Sequence, residues 1–293
     1  MLKIFLFIFS FLPKNLPHPD SFDFAIAISV QVNMEFHPCK CGNPPFRGGD
    51  IARRATCIKE IKKKYKNKIL YLDAGNFLRV TPYEPYAPPV FSKIAKELKL
   101  DAIGVGYYEY FGGKVYLEKM ADKFPFASLL PEYDFIPREK IFKVKDFEII
   151  FTSYSPPYGE KNTSPCVEYF KNSKKDKTLY VLASTSMTPE IFEDLPENLL
   201  FIYGSYHKFE NVIDTTNYKF IYITPARYGL YFPILFFKYK EGKFKIKYFV
   251  EIPMDSYIPS DKNIDKLEEE FISERKKYQE KREEEIRKRQ KGN

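Results

Sequence analysis

The segment HPCKCGNPPFRGGDIARRA, residues 37–55, brings together a histidine, two cysteines one residue apart, a Gly/Pro-rich turn and a double arginine. His37, Cys39 and Cys41 could offer one imidazole nitrogen and two sulfurs to a metal. Structural zinc sites, however, space their cysteines by two to four residues and draw on a second ligand pair, which this sequence lacks. Gly48 and Gly49, placed before a helix start, resemble an anion cradle with free N–H groups, and Arg53 and Arg54 could serve as rim contacts. Asp50 at the helix cap would repel an anion, and its carboxylate is better used on the first-turn amides. A disulfide between Cys39 and Cys41 would close a very small, easily reduced ring, which suits thiol exchange or electron transfer with a partner. A static staple is better made by Cys39 or Cys41 with Cys166. The general prior favours the staple, whereas the Cys-x-Cys pair is the sharper chemistry; both readings stay open.

These groups need a frame. The run FDFAIAISV is continuously apolar between polar turns and reads as a buried strand. In IARRATCIKEIKKKYK, Ile51, Ala55, Ile58 and Ile61 share one helical face and the lysines take the other, behind an Asp50 N-cap. KILYLDAGN is a strand, VFSKIAKELKL a helix, DAIGVG a short strand, GGKVYLEKMADKF a helix and FPFASLL a strand. This alternation predicts a parallel-rich sheet with crossover helices. The second half reads as strands: IFKVKDFEIIFTSY, TLYVLAST, LLFIYGS, YKFIYITPA, FPILFFKYK and KFKIKYFVEI, with YKEGKF as a hairpin turn. Two stacked sheets flanked by helices use all of these. From Asp261 on, Ile264, Leu267, Phe271 and Tyr278 form a thin apolar stripe, and beyond it only Ile286 is apolar. The first turns of this tail are expected to dock, and the last to be a solvated helix held by Glu–Lys/Arg pairs. A partner-binding helix is the alternative.

Composition limits the function. With 293 residues and 44% hydrophobic content, the chain can build a full core. The net charge of +8 comes with dispersed lysines and no nucleic-acid motif, so nucleic acid is excluded as partner; a small anionic ligand or a protein partner fits better. The start, MLKIFLFIFSFLPKN, has one lysine, an apolar run over 4–12 and Pro13, the pattern of a secretory signal too short to span a bilayer. The expected organisation is a signal-like segment over 1–20, a body over 21–256 and a charged helical tail over 257–293. The expected location is exported, periplasmic or cell-surface, with no stable membrane span in the mature chain.

In their order, HPCKCGNPPFRGGDIARRATCIKE, ILYLDAGNFL, LDAIGVGYYEYFGG and FPFASLL resemble exported 5′-nucleotidase-like metallophosphoesterases of the calcineurin-like superfamily. The closer resemblance is to a bacterial subfamily with a loop like EPCGC…GGLARRA followed by LLLDAGD, in register over residues 24–250. It implies an α/β fold, a four-layer α/β/β/α sandwich of two mixed sheets, followed here by the charged C-terminal helix. It also implies two divalent metals that activate a bridging water and clamp a phosphate.

Carried over by position, the metal ligands of that family are largely replaced. The D-x-H positions fall on Gln31 and Asn33, and the Asp of GD falls on Asn76. In GNHE, the Asn and His positions fall on Tyr107 and Tyr108, and only Glu109 matches. The lone His position falls on Thr185, and those of GH-x-H on Tyr206 and Lys208; a one-residue slip would bring in His207. Amides and phenols cannot supply the anionic charge that holds two dications together. The expectation is a degenerate phosphoesterase with no predicted cofactor, binding a ligand or partner or acting through its cysteines. An active phosphoesterase with a rebuilt metal site is the alternative.

Overall fold

The computed structural model describes residues 12–34, 36, 50–78, 86–111, 113–157, 162–171, 173, 176–192, 195–205, 210–226, 229–255 and 257–291. Strand β1 (Phe24–Ser29) is buried along its whole length, which is why its sequence stays apolar instead of alternating. Its two faces feed two cores. Phe24, Ile26 and Ile28 enter a layer between two sheets, while Ala25 and Ala27 face helices and are small enough to let them approach.

Strands β2 (Ile69–Asp73), β3 (Ala102–Gly104) and β4 (Phe126–Ala127) continue beside β1 in parallel. On its other side β1 pairs antiparallel with β11 (Tyr231–Lys240), which pairs with β12 (Lys243–Pro253), giving the order β12-β11-β1-β2-β3-β4. The β11–β12 hairpin turns at Glu241 (φ 56°) and Gly242 (φ 77°), two successive left-handed residues that match the twist of an antiparallel pair.

The second sheet has the order β5-β6-β7-β8-β10-β9. Its strands are β5 (Lys140–Val144), β6 (Phe147–Ser153), β7 (Thr178–Ser184), β8 (Leu199–Tyr203), β9 (Val212–Asp214) and β10 (Ile221–Thr224). Its interior strands run parallel, and β5 and β9 close the edges antiparallel.

Helices α1 (Ile51–Tyr65), α2 (Ala87–Glu97), α4 (Lys114–Ala121) and the start of α6 (Lys262–Lys291) cover the outer face of the first sheet. Helix α5 (Ser164–Phe170) covers the outer face of the second. The result is the expected α/β/β/α sandwich with its C-terminal helix.

Several local expectations change. IFKVKDFEIIFTSY is a hairpin rather than one strand, reversing at Lys145, whose φ is 57°. FPFASLL contributes only the two residues of β4. The short helix α3 (Tyr107–Phe111), α5 and β9 were not legible as periodic runs, being five, seven and three residues long. Residues 1–11 of the signal-like segment lie outside the described residues. From Leu16 on, the chain packs on the body: Leu16 is buried, the Tyr65 hydroxyl donates to the Pro17 carbonyl (3.0 Å), and Lys68 Nζ donates to that of Pro19 (2.7 Å). Among the described residues, no helix is long and apolar enough to cross a membrane.

The first turns of α6 dock through Ile264 and Phe271, and Phe271 stacks on Phe91 of α2 at 5.2 Å between centroids. Lys59 of α1 joins Glu97 (2.6 Å) and Asp261 (2.8 Å), clamping α1, α2 and the start of α6. Residues 279–290 are exposed, and their ladder includes Arg287–Glu283 and Lys288–Glu284. Phe271→Ala should therefore cost about 3 kcal/mol in chemical denaturation. Truncation after Tyr278 should change stability by less than about 0.5 kcal/mol.

Candidate functional site

The carboxyl ends of β1, β2 and β3 in one sheet, and of β6, β7 and β8 in the other, open at the same end of the sandwich. Ligands of parallel α/β sheets enter at such ends. After β1 the chain keeps pairing with the loop after β2: Gln31 N–H donates to Gly75 O (3.0 Å), Asn33 N–H to Asn76 O (3.1 Å) and Met34 N–H to Phe77 O (2.9 Å). Gln31, Asn33, Met34 and Asn76 all have positive φ, between 47° and 56°. Asparagine tolerates this backbone; glutamine and methionine do so at greater cost. The loops after β2 and β3 touch backbone to backbone. A Cβ on Gly106 would lie 2.6 Å from both Asn76 N and Asn76 Oδ1, so only glycine fits there.

Glu109, on α3, is fully buried and ties these loops together. Its Oε1 accepts from Leu78 N–H (2.9 Å), and its Oε2 from Asn76 N–H (2.8 Å) and Gly106 N–H (2.7 Å). Burial pushes its pKa up, against the backbone N–H groups that hold it down. Asp73, the last residue of β2, is also fully buried. It accepts from Ser29 Oγ (2.5 Å) and Gly75 N–H (2.9 Å). Burial raises its pKa to about 7, only partly offset by those bonds and by the Arg54 charge. Asp73 and Ser29 did not figure in the sequence expectations. An acidic residue closing an apolar strand was the available signal.

The structure brings together six of the eight positions at which the resemblance implies metal ligands. Asn76 Oδ1 accepts from Tyr108 N–H (2.9 Å), and Thr185 Oγ1, after β7, accepts from Tyr107 N–H (3.2 Å). Gln31 Nε2 crosses between the sheets to donate to Gly204 O, after β8 (3.0 Å). Gln31 Oε1 and Asn33 Oδ1 are buried and, among the described residues, have no hydrogen-bond partner. Tyr206, His207, Lys208, His37, Cys39 and Cys41 lie outside the described residues.

The two arginines are not rim contacts. Arg53 pairs with Asp50 (2.9 Å) and donates to Ile258 O (3.1 Å), beside the N-cap bond from Arg53 N–H to Asp50 (3.0 Å). Arg54 lies three residues after Ile51 and one before Ala55, so the helical period places it on the buried face. It is fully buried, with Nη2 donating to Gly229 O (2.8 Å) and the guanidinium 5.0 Å from the Phe232 centroid. Gly229 has φ +59°, and a Cβ there would lie 2.2 Å from Arg54 Nη2. Cys166 does not form the expected staple: it is a free thiol buried under α5, and Cys57 is a free thiol buried under α1. Burial lifts the Cys57 pKa to about 12 and that of Cys166 well above the usual thiol range, so neither is a ready nucleophile.

Among the described residues, the donor set at these positions does not fit two divalent metals. Gln31, Asn33, Asn76, Tyr107, Tyr108 and Thr185 bring no carboxylate or imidazole. Asn76 Oδ1 already accepts a backbone bond, and the Glu109 oxygens are spent on backbone N–H groups. Among the described residues, no group of three or more His, Cys, Asp or Glu side chains could hold a metal ion.

No protein-family model and no curated protein matches the chain. Solved structures do. The 5′-nucleotidase precursor from Thermus thermophilus superposes with a TM-score of 0.67 at 12% identity, covering 87% of this chain and 59% of its own. The sulfate thiohydrolase SoxB of the same organism gives 0.69 at 12% identity, with 92% and 62% covered. The calcineurin-like phosphoesterase YfkN from Bacillus subtilis gives 0.62 at 12% identity, with 87% and 98% covered. The chain thus spans less than two thirds of the length of the first two. Its fold is that of the 5′-nucleotidases and calcineurin-like phosphoesterases.

The Asp73 pKa makes a pH prediction. A buried acid with a raised pKa favours the folded state in its protonated form. That contribution is complete below about pH 4, the unfolded carboxyl range, and is lost as pH rises through about 7. Asp73→Asn should therefore lose less stability than the parent between pH 4.5 and 8, read as denaturation midpoints across that window.

Proposed function

We propose that this chain uses the calcineurin-like phosphoesterase fold for binding, and that the dimetal hydrolysis of phosphate esters has been lost. The observation that carries the proposal is that amides, phenols and a hydroxyl stand at six strand-end positions where the resemblance implies two carboxylates, three imidazoles and one amide. The two carboxylates that remain, Asp73 and Glu109, are turned to backbone and serine donors. A two-metal centre needs negative charge between the ions, both to offset their repulsion and to hold the nucleophilic water. The apolar run over 4–12 supports an exported protein, at the periplasm or cell surface. Leu16 and Pro17 pack on the body, so processing upstream of them would leave those contacts intact.

The test is hydrolysis. The purified chain, incubated with manganese and a set of nucleoside monophosphates, should release no phosphate above the no-enzyme rate. Turnover abolished by a chelator would establish the alternative, an active phosphoesterase with a rebuilt site.

A second reading rests on the cysteines. Cys57 and Cys166 are buried in separate layers and unbridged, which leaves Cys39 and Cys41 only each other as intramolecular partners. A vicinal pair of that kind suits exchange with a partner dithiol. Mass mapping of the unreduced protein should find Cys57 and Cys166 as thiols. A Cys166 bridge to either loop cysteine would end this reading.

A further inference from the structure

We propose that the end of the sandwich opposite the strand-end site docks the protein on an anionic bilayer surface through its lysines. The two ends use different residues, so this docking is independent of what the strand ends do.

The sequence scatters its lysines, and the fold gathers them. The turns that enter the amino ends of β2, β3 and β6 share this end of the sandwich. The last turn of α1 and the turn that follows it hold Lys62, Lys63, Lys64, Lys66 and Lys68. Lys99 precedes β3, and Lys143 and Lys145 flank the reversal from β5 to β6. The end of α1 and the edge strand β5 face each other across a groove of about 510 Å³, lined by Lys62, Lys66, Lys143, Asp101 and the 50% exposed Ile141.

The acids here are already engaged. Asp101 accepts from Lys62 Nζ (2.7 Å) and from Tyr71 N–H (2.6 Å). Asp23 pairs with Lys238 (2.8 Å), Asp146 with Lys177 (2.7 Å), and Asp20 lies 3.7 Å from Lys68. Glu148 stands opposite Lys143 in the β5–β6 register. Among the described residues, Lys63, Lys64, Lys66, Lys99 and Lys145 have no acid within ion-pair distance, so this end keeps an uncompensated positive charge.

The dipole at the end of α1 accounts for Lys62, Lys63 and Lys64 without any partner. It does not account for the turns. Lys66, Lys99, Lys145 and Lys177 all have φ between 50° and 57°, a backbone that glycine adopts freely and lysine only at a cost. Four turns at one end thus keep a lysine where glycine is the easier residue, and charge at that surface is what the four share.

The chemistry of the array selects its occupant. Among the described residues, the basic groups at this end are lysines, compact charges on flexible stems without the guanidinium fork that grips one phosphate in a fixed geometry. Spread over several turns, they suit a broad field of phosphates, and each such charge close to anionic lipid strengthens binding about fivefold. The chain also meets the body here. The Pro17 and Pro19 carbonyls accept from Tyr65 and Lys68, shortly after the apolar run over 4–12 that is read above as an export segment. The choice of a bilayer over a soluble polyanion rests on that reading. Docking through this end leaves the strand-end site facing away from the lipid.

The experiment is co-sedimentation of the full chain with phosphatidylcholine vesicles made with and without phosphatidylglycerol. Vesicles that contain phosphatidylglycerol should bind roughly tenfold more tightly or better, and high salt should release the chain. Lys66→Gly, Lys143→Gln and Lys145→Gly together should weaken that binding by roughly tenfold or more. The two glycines suit the positive φ, so the loss would report charge and not unfolding. Lys281→Gln, Arg282→Gln and Arg289→Gln, which remove the same charge from the exposed part of α6, should leave binding unchanged. Equal binding to both kinds of vesicle would overturn the proposal, as would equal loss in the two triple variants. Binding to heparin without binding to either vesicle would also overturn it, and would make the occupant a soluble polyanion. Phosphate release from nucleotides bears on the strand ends alone and leaves this result untouched.

Discussion

One carboxylate holds the site in shape. Glu109 gathers the N–H groups of Asn76, Leu78 and Gly106, so a single side chain fixes the loops after β2 and β3 against each other. Charge-assisted bonds of this kind are the stronger class, and a fully buried carboxylate deprived of them would be costly. The contact between Gly106 and Asn76, the left-handed backbone of Asn76 and the placement of Tyr107 and Tyr108 all depend on this joint. The residue that matches the family pattern therefore acts on structure here, and Asn76 Oδ1, at a family ligand position, accepts from the Tyr108 backbone.

The same neutral residues set what the strand ends offer on the reading proposed above. A dimetal centre concentrates anionic groups and relies on the ions to offset them. Without ions such a cluster repels itself or takes up protons, so a neutral set suits strand ends that hold no ions. The side chains of Gln31, Asn76 and Thr185 form such a set, bonding across the strand ends without net charge. Asp73 is tolerated in the interior because Ser29 and Gly75 solvate it internally and because burial raises its pKa.

The fold was legible because its strands and helices differ in period. β1 reads as a continuous apolar run since both faces are covered, and α1 shows its buried stripe beside exposed lysines. The strand-end positions were legible through order along the chain, and the bonds among Gln31, Asn33, Asn76, Tyr107, Tyr108 and Thr185 put them at one end of the sandwich. Arg54 was misread because its charge suggested a surface, although its spacing from Ile51 and Ala55 placed it inside. Cys166 was misread because cysteine count carries no distance. Asp73 was passed over because a single acid at the end of a strand looks like a turn residue, and its burial depends on Ser29, which lies 44 residues earlier in the chain.

The claim at the centre of this account is that the strand ends carry no two-metal centre. Elemental analysis of the purified protein after dialysis against manganese and zinc tests it most directly. The account predicts no stoichiometric metal retained, whereas retention of two equivalents per chain, lost on substitution of Gln31 or Asn76, would contradict it.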